Sequence, residues 1–397
     1  LALQGKQGNA RAFNLRNYEV DFARLQDQVT ATQGSMYRIE LLTPAQFNFA
    51  LELSSISFQP QMLSASIDNA TGVVSYAVLG KGSVGNIVCP YHQWTYDLSG
   101  KLLHAKHMGD DFDPSTSGLK AVHVRSLGGL IFICLAENPP EDFAQMAKEM
   151  TPYIAPHRLA DCKVAAQVDI IEDCNWKLTM ENNRECYHCV SNHPELTISL
   201  YEYGFGYKPD EHNAAGLQRF KDVTAANHAR WESMGLPSAE IDTLDDRITG
   251  FRTQRLPIDR AGQSQTMNTE VASKKLLADF VDPALGGLSF WTQPNSWHHF
   301  MSDHIVSFSV LPISAGKTLV RTTWCVHKDA VEGVDYTVDN LTAVWNATND
   351  QDRRLVEESQ IGVTNGAYEP GPYSPFTEGL VEKFCNWYVG RMRELTR

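Results

Sequence analysis

The first 88 residues of this 397-residue chain contain no cysteine, no histidine and no tryptophan, although the whole chain has 8, 13 and 8 of them. Metal sites of the cysteine and histidine type therefore cannot draw on this segment. Two interpretations are open at this point. Either the segment has an unusual natural composition, or residues 1–88 differ from those of the natural protein, and the uniformity of the gap favours the second.

Long apolar runs and an excess of positive charge are also missing. The longest apolar stretch runs only from Gly128 to Ala136, so we expect no membrane span. The chain begins at Leu1 without a charged and apolar leader, which indicates a trimmed start and leaves cytoplasm as the default location. A formal net charge of −13 argues against nucleic acid and anionic membrane surfaces as partners.

The remaining composition is that of a globular protein with 43% apolar and 20% charged residues, long enough for two or more domains. Its scattered cysteines are typical of a reduced intracellular protein. Segments 121–136 and 162–173 have strand-like apolar patterns, whereas 338–363 and 379–395 have the period of amphipathic helices. Strands in series framed by long helices predict an α+β fold, with a domain boundary near residue 155.

The strongest chemical signal is "NWKLTMENNRECYHCVSNHPEL", which begins at Asn175. Asn175, or Asp173 before it, is a suitable helix cap. At 3.6 residues per turn, Glu181, Glu185 and His188 then lie on one helix face. The segment therefore predicts a helix that presents acidic and imidazole groups to a common site.

His188 and His193 near the end of this helix are suitable metal ligands, and Asp352 on the helix 338–363 is the best candidate for a third. Two histidines and one carboxylate leave coordination positions open, as a non-haem ferrous centre that binds dioxygen requires. Simpler explanations exist, because buried histidines commonly satisfy backbone groups and an acidic helix residue is commonly solvated.

A structural zinc site is the alternative for the same stretch, with Cys186, His188, Cys189 and His193 as tetrahedral ligands. Helical geometry counts against it, because Cys186 and His188 are two residues apart and face different sides.

A second pair of metal ligands is found in "CPYHQWTYDLSGK", where Cys89 and His92 flank a tight turn followed by Trp94 and Tyr96. The pair can hold one edge of a metal centre. The simpler explanation is a small core thiol and a surface histidine.

Taken together, these motifs resemble those of Rieske non-haem iron oxygenases. "CPYHQWTYDLSGKLL" resembles the second half of their cluster motif, the stretch from Asn175 resembles their mononuclear-iron helix, and "NDQD" resembles the segment with their carboxylate ligand. The resemblance runs from about residue 82 to the C-terminus. The segments "ENNRECYHC" and "YEPGPYS" are most similar to those of oxygenases that demethylate quaternary ammonium compounds such as glycine betaine and proline betaine (stachydrine).

This resemblance implies an N-terminal segment over 1–36 that packs on the catalytic domain, a mostly β Rieske domain over 37–155 and a catalytic domain over 156–397. The catalytic domain is expected to have an antiparallel sheet flanked by helices, of the helix-grip type. A head-to-tail homotrimer is implied as well.

The site residues implied by the resemblance follow from its motifs. Cys89 and His92 match two of the four ligands of a 2Fe-2S Rieske cluster, and Glu185 matches an acidic residue that links the cluster of one subunit to the iron of the next. His188, His193 and Asp352 match the ligands of a mononuclear Fe(II).

The implied reaction uses dioxygen to hydroxylate an N-methyl group, after which the product releases formaldehyde. A flavin and iron–sulfur reductase is the implied partner and supplies electrons from NADH or NADPH. The alternatives are an aromatic-ring hydroxylating Rieske oxygenase and a mononuclear iron or zinc protein without a cluster or oxygenase activity.

A quaternary ammonium group cannot donate hydrogen bonds, so aromatic faces are expected to hold it. The candidates are Phe290, Trp291, Trp297 and Tyr203, although core packing is the commoner role of such residues. His298, His299 and Asn295 are weaker candidates for holding the carboxylate of a betaine.

One departure from the family pattern affects the cluster. Its first Cys-x-His pair falls near Asn69 and Thr71, and neither residue is an iron ligand. Either the protein has lost its cluster, or the natural chain has Cys-x-His near residue 70. Because the motifs after Cys89 are intact, the second is our prediction.

Overall fold

The computed structural model describes residues 85–120 and 122–395, together with the backbone of four earlier strands at 36–43, 46–53, 61–67 and 74–79. It divides the chain into two compact units, the second beginning at Val122. Of the predicted N-terminal segment, only Met36 is among the described residues. Asn69 and Thr71, where the first cluster pair was expected, lie outside them.

The first unit contains two antiparallel sheets. The larger is a four-stranded meander of β1 (Met36–Thr43), β2 (Gln46–Leu53), β3 (Gln61–Ile67) and β4 (Val74–Leu79). The smaller consists of β5 (Ile87–Val88), β6 (Thr95–Tyr96) and β7 (Leu102–His104). Strands therefore dominate this unit, as expected of a Rieske domain.

The second unit is built on a seven-stranded antiparallel sheet with the order β10-β16-β15-β14-β13-β12-β11. Its strands are β10 (Cys162–Glu172), β11 (Ile241–Asp242), β12 (Phe251–Leu256), β13 (Gly287–Thr292), β14 (Ser296–Phe300), β15 (His304–Ser314) and β16 (Lys317–His327). A separate hairpin is formed by β8 (His123–Leu127) and β9 (Leu130–Cys134). The strands predicted at 121–136 and 162–173 are thus confirmed.

The helices of the second unit are α1 (Phe143–Ile154), α2 (Trp176–Asn182), α3 (Cys189–Asn192), α4 (Ala214–Ser233), α5 (Val338–Val363) and α6 (Gly379–Leu395). The amphipathic patterns that predicted α5 and α6 are confirmed. Within residues 85–395, no helix combines the length and the apolar character that a bilayer span requires. An antiparallel sheet flanked by helices confirms the predicted α+β class.

Each face of the seven-stranded sheet buries its own cluster of apolar side chains, because successive strand residues point to opposite sides. On the face covered by α2, α5 and α6, here called the helix face, Trp291 packs with Trp345 of α5 and Phe384 of α6. On the other face, Phe290 packs with Met150 of α1. Full burial of one such side chain stabilises the fold by roughly 1.5–3 kcal/mol.

A buried carboxyl group lies where β10 leads into α2. Glu172 is 3% exposed, and its Oε2 accepts a hydrogen bond of 2.6 Å from the Thr179 hydroxyl. Burial raises the pKa of Glu172 to about 7. Between its ordinary pKa and about pH 7 the folded protein holds a proton that the unfolded chain has released, so stability falls as pH rises through this window.

We therefore expect Glu172→Gln to raise the free energy of unfolding at pH 8 by about 2 kcal/mol and so to unfold at a higher temperature than the parent protein. At pH 5 the two proteins should differ little. Calorimetry of the iron-loaded protein at both pH values measures this. Glu149→Gln is the control, because Arg247 at 2.6 Å lowers the pKa of Glu149 and its replacement should destabilise at pH 8. A gain for Glu172→Gln that is equal at both pH values would contradict the explanation.

Candidate metal centre

The segment predicted as one long helix is divided in two. Asn175 caps α2 by accepting a hydrogen bond of 3.0 Å from the Lys177 N–H, as predicted. The helix then ends at Asn182, and the chain becomes irregular until α3. The prediction of a continuous helix through His188 was wrong, because asparagines favour turns over helix interiors and the Arg184 side chain bonds back to the Met180 carbonyl at 2.9 Å.

The break also separates side chains that were expected to share a face. Glu181 pairs with Lys177 and accepts from the Cys385 thiol at 3.3 Å, so it belongs to the packing of α2 against α6. Glu185, in the irregular segment, instead contacts His188. Only one of the two predicted acidic residues therefore reaches the site.

His188 and His193 lie at the two ends of the short helix α3, and Asp352 lies on α5. The Asp352 Oδ1 atom is 3.2 Å from His188 Nε2 and 3.0 Å from His193 Nε2, and the two nitrogens are 3.0 Å apart. Oδ1 is buried, and no hydrogen-bond partner is found for it among the described residues. The structure thus brings together the three predicted iron ligands, with their donor atoms directed at one point.

The separations of these donor atoms favour one coordination geometry. With metal–donor bonds of about 2.1 Å, separations near 3 Å correspond to angles of about 90–100° at the metal. A tetrahedral site requires wider angles, whereas three ligands on one face of an octahedron fit these values. The residues present therefore fit a facial two-histidine, one-carboxylate iron site with open positions.

Each imidazole has a partner on its far side. His188 Nδ1–H donates to Glu185 Oε1 at 2.5 Å, and His193 Nδ1–H donates to Gln351 Oε1 at 2.8 Å. The Gln351 amide in turn donates to Glu195 at 2.8 Å. These contacts place a proton on each Nδ1 and leave each Nε2 lone pair for a metal. Gln351 was missed in the sequence, although it directly precedes Asp352.

The electrostatic environment of the site favours a cation. Burial lowers the pKa of His188, but the adjacent Asp352 and Glu185 carboxylates outweigh it and raise that pKa to about 9. Burial raises the pKa of Asp352, whereas the two histidines lower it by a larger amount. Protons and metal ions compete for such a site, because both are held by the same negative groups.

The two cysteines that the alternative zinc site requires are not free thiolates. Cys186 and Cys189 are joined in a disulfide, although Cys189 Sγ lies within 4.8 Å of ligand atoms of His188 and His193. A four-ligand site of two cysteines and two histidines is therefore not formed here.

A small cavity opens over the three ligands. Among the described residues its lining includes two carboxylates and no lysine or arginine. The aromatic and polar residues of the lining that matter below are Trp291, Trp345, His299 and Gln265. Trp291 was predicted and His299 was a weaker candidate, whereas the sequence gave no reason to single out Trp345 or Gln265.

The other aromatic candidates lie elsewhere. Phe290 points to the opposite face of the sheet and stacks on His298 at 4.5 Å. Trp297 shares the helix face with Trp291 but stacks on Phe308 at 4.7 Å, below the cavity lining. Tyr203 packs edge-on against Tyr207. Strand alternation and cross-strand stacking account for these placements, and neither is visible in a one-dimensional motif.

In the first unit, Cys89 and His92 lie on the turn between β5 and β6. Cys89 N–H donates to the Trp94 carbonyl at 2.8 Å, and Trp94 packs on Phe112 with ring centroids 5.5 Å apart. A Rieske cluster needs four such ligands, and no cysteine or histidine precedes Cys89 in the chain. Over the part of the chain that the structure describes, no group of three or more possible metal ligands includes Cys89 or His92. The residues present fit half a cluster.

In comparisons with known proteins, two family models match separate parts of the chain. The family model described as "Ring hydroxylating alpha subunit (catalytic domain)" matches residues 159–394, and that described as "Rieske [2Fe-2S] domain" matches residues 75–122. Together the two matched ranges cover most of the chain.

Individual relatives are also similar over long stretches. The glycine betaine monooxygenase oxygenase subunit of Pseudomonas aeruginosa is 48% identical over 316 residues, which are 79% of this chain and 71% of the relative. Its counterpart in Chromohalobacter salexigens is 45% identical, over 79% of this chain and 68% of the relative. The carnitine monooxygenase oxygenase subunit of Escherichia coli K12 is 30% identical, over 38% of this chain and 44% of the relative.

Among solved structures, a quaternary ammonium Rieske monooxygenase studied for carnitine oxidation has a TM-score of 0.50 at 16% identity, covering 93% of this chain and 91% of its own. That likeness supports the fold. With both family matches and the long alignments to the betaine oxygenases, the chain belongs to the Rieske non-haem iron oxygenases, in the ring-hydroxylating α-subunit family.

Proposed function

We propose that this oxygenase demethylates a small quaternary ammonium carboxylate, glycine betaine or proline betaine, at the centre formed by His188, His193 and Asp352. The observation that carries the proposal is the cavity over these ligands, which combines aromatic rings and carboxylates with no lysine or arginine in the described lining. Two relatives at 45–48% identity are named for glycine betaine, which supports the same substrate class.

The cavity suits a trimethylammonium or dimethylammonium head. Such a head is bulky and positively charged and has no N–H, so it is stabilised by aromatic faces and negative potential. Trp291 and Trp345 supply the rings, while Glu185 and Asp352 would offset the charge of a bound ferrous iron, so that the site does not repel a cationic head. The Trp291 indole is held in place by donating to Asn183 at 2.9 Å. The two carboxylates do not stabilise the binding of an uncharged aromatic hydrocarbon.

The iron, when bound, activates dioxygen and supplies the oxidant for an N-methyl group. The hydroxylated methyl group then leaves as formaldehyde, with the amine as the other product. His188, His193 and Asp352 would hold the iron, and a set of three protein ligands would leave room for dioxygen. Glu185 and Gln351 keep the two imidazoles in the ligating tautomer.

The larger assembly remains a prediction. We propose a homotrimer in the cytoplasm, a flavin and iron–sulfur reductase that uses NADH or NADPH, and a role for Glu185 between subunits. The division at 1–36, 37–155 and 156–397 is retained as the domain proposal. We also propose that the natural chain has Cys-x-His near residue 70, which completes the ligand set begun by Cys89 and His92.

The test is formaldehyde release by the purified protein with a reductase and NADH. We expect formaldehyde with glycine betaine or proline betaine, and none with naphthalene or in the absence of reductase. Acid-labile sulfide and the N-terminal peptides, read by mass spectrometry, are measured on the same preparation. Oxidation of naphthalene without demethylation of either betaine would show that the aromatic-ring alternative is correct.

A further inference from the structure

Three buried polar atoms in the cavity lining have no hydrogen-bond partner among the described residues. They are His299 Nε2, Trp345 Nε1 and Gln265 Oε1. The three side chains are about 5–6% exposed. A buried polar atom without a partner is costly, so one that faces a cavity indicates a ligand that completes its hydrogen bonding.

The surroundings of His299 determine which kind of hydrogen bond it offers. Ser289 is its cross-strand partner, and the Ser289 hydroxyl lies 2.8 Å from His299 Nδ1. We assign the hydroxyl as donor to Nδ1, which places the ring proton on Nε2. Burial, with a smaller effect of His304, lowers the pKa of His299 to about 3, so the ring is neutral. His299 therefore offers one N–H to the cavity.

Trp345 offers a second N–H beside it. The rings of His299 and Trp345 stack with centroids 4.5 Å apart and planes at 23°. An indole nitrogen can only donate a hydrogen bond. The two neighbouring rings thus form a rigid pair of neutral donors.

The donor pair and the metal ligands lie at different positions along α5. Trp345 and Asp352 are seven residues apart, which is two helical turns on the same face, or about 10 Å along the axis. Thr348 lies between them and also lines the cavity. The two groups therefore line the same cavity from separate turns of one helix, as binding of opposite ends of one small molecule requires.

We infer that His299 and Trp345 bind the carboxylate of the substrate, with His299 Nε2–H and Trp345 Nε1–H as donors. Gln265 Oε1 is an acceptor, so it cannot bond to a carboxylate and is not part of this contact. This assignment depends on the proposed function and names the group that selects the substrate. Because both groups only donate and an anionic carboxylate is a stronger acceptor than a hydroxyl, they favour a zwitterion with one carboxylate over the corresponding alcohol, choline. Of the three polar candidates, His298 lies on the opposite face of the sheet, and Asn295 is outside the cavity lining and donates to the Val310 carbonyl, so neither is involved.

The test measures dissociation constants of the iron-loaded protein for glycine betaine and choline by calorimetry without oxygen. His299→Phe keeps an aromatic ring against Trp345 but removes the donor. We expect its dissociation constant for glycine betaine to rise about 10- to 100-fold, with that for choline changed less than about threefold. His299→Gln, which restores an N–H, should recover most of the loss.

His298→Phe is the matched control. His298 is the next residue, is 4% exposed, and has an Nε2 atom that is likewise buried and unpartnered, but it points to the opposite face of the sheet. This variant should bind both ligands as the parent does. Trp345→Phe is a second variant, expected to weaken glycine betaine binding about tenfold.

The outcomes separate the two proposals. The carboxylate site is overturned if His299→Phe binds glycine betaine and choline more weakly by the same factor, or binds both as the parent does. This holds even when the parent protein releases formaldehyde. If His299→Phe does not fold, the ratio of the two dissociation constants in Trp345→Phe decides in the same way. A parent protein that binds neither glycine betaine nor, measured in the same way, proline betaine overturns the proposed function and this inference together.

Discussion

Replacement of Asp352 by alanine is expected to remove the mononuclear iron and to lower turnover at least about 100-fold, since loss of an outer-shell partner alone reaches that range. Asp352 Oδ1 lies within 3.2 Å of both ligating nitrogens and is the only carboxylate oxygen described at that point. Without it, two neutral imidazoles remain, and these bind ferrous iron weakly in competition with water.

Asp350→Ala is the matched control on the same helix. Asp350 is two residues earlier, its side chain is 66% exposed, and it pairs with Arg353 on the surface. Iron per chain by mass spectrometry, formaldehyde release and the melting temperature are measured for both variants. Iron content near that of the parent in Asp352→Ala would show that the ligand assignment is wrong.

Replacement of Glu185 by glutamine is expected to leave iron bound but to lower turnover about 100-fold. The amide oxygen still accepts the proton of His188 Nδ1–H, so the ring keeps its orientation. The negative charge is lost, however, and with it the polarisation of His188 and the acidic link between subunits that the family resemblance implies. The contact concerned is the 2.5 Å bond from His188 Nδ1 to Glu185 Oε1.

Glu181→Gln provides the comparison, because Glu181 is a nearby acid that faces Lys177 and Cys385 and not the site. It should retain both iron and turnover. Iron content, turnover and substrate dissociation constants are compared in the three proteins. If Glu185→Gln loses iron and activity to the same extent, the role of Glu185 is only to hold His188 in place.

Periodicity alone predicted the long helices well. The apolar stripe of residues 338–363 matches α5, and that of 379–395 matches α6. These helices bury one face against a sheet, and burial of that kind leaves a strong 3.6-residue period in the sequence. By contrast, α2 ends early because two asparagines and the backbone contact of Arg184 outweigh the helical pattern around them.

The proposed metal ligands and the proposed substrate cavity differed in how far they could be predicted. His188, His193 and Asp352 lie in two motifs that the family resemblance links, although 159 positions separate His193 from Asp352. The aromatic lining has no such motif. Whether Phe290 or Trp291 reaches the cavity depends on which face of β13 each occupies, and that is set by pairing with β14.

The donors on His299 and Trp345 could not be identified from the sequence. A histidine pair such as His298 and His299 gives no sign of which ring faces the cavity or which nitrogen lacks a partner. Those properties arise from the register of β13 with β14 and from the stacking of His299 on a helix residue 46 positions later.

The most direct measurement of the central claim is the electron paramagnetic resonance spectrum of the ferrous protein with nitric oxide, recorded with and without glycine betaine. Nitric oxide occupies an open position on ferrous iron, so the signal reports the mononuclear site without any electron from a cluster. We expect one ferrous nitrosyl centre per chain, whose signal is absent from Asp352→Ala and is altered in shape by glycine betaine and not by sodium chloride. A parent protein with no such signal, or with a signal that glycine betaine leaves unchanged, would contradict it.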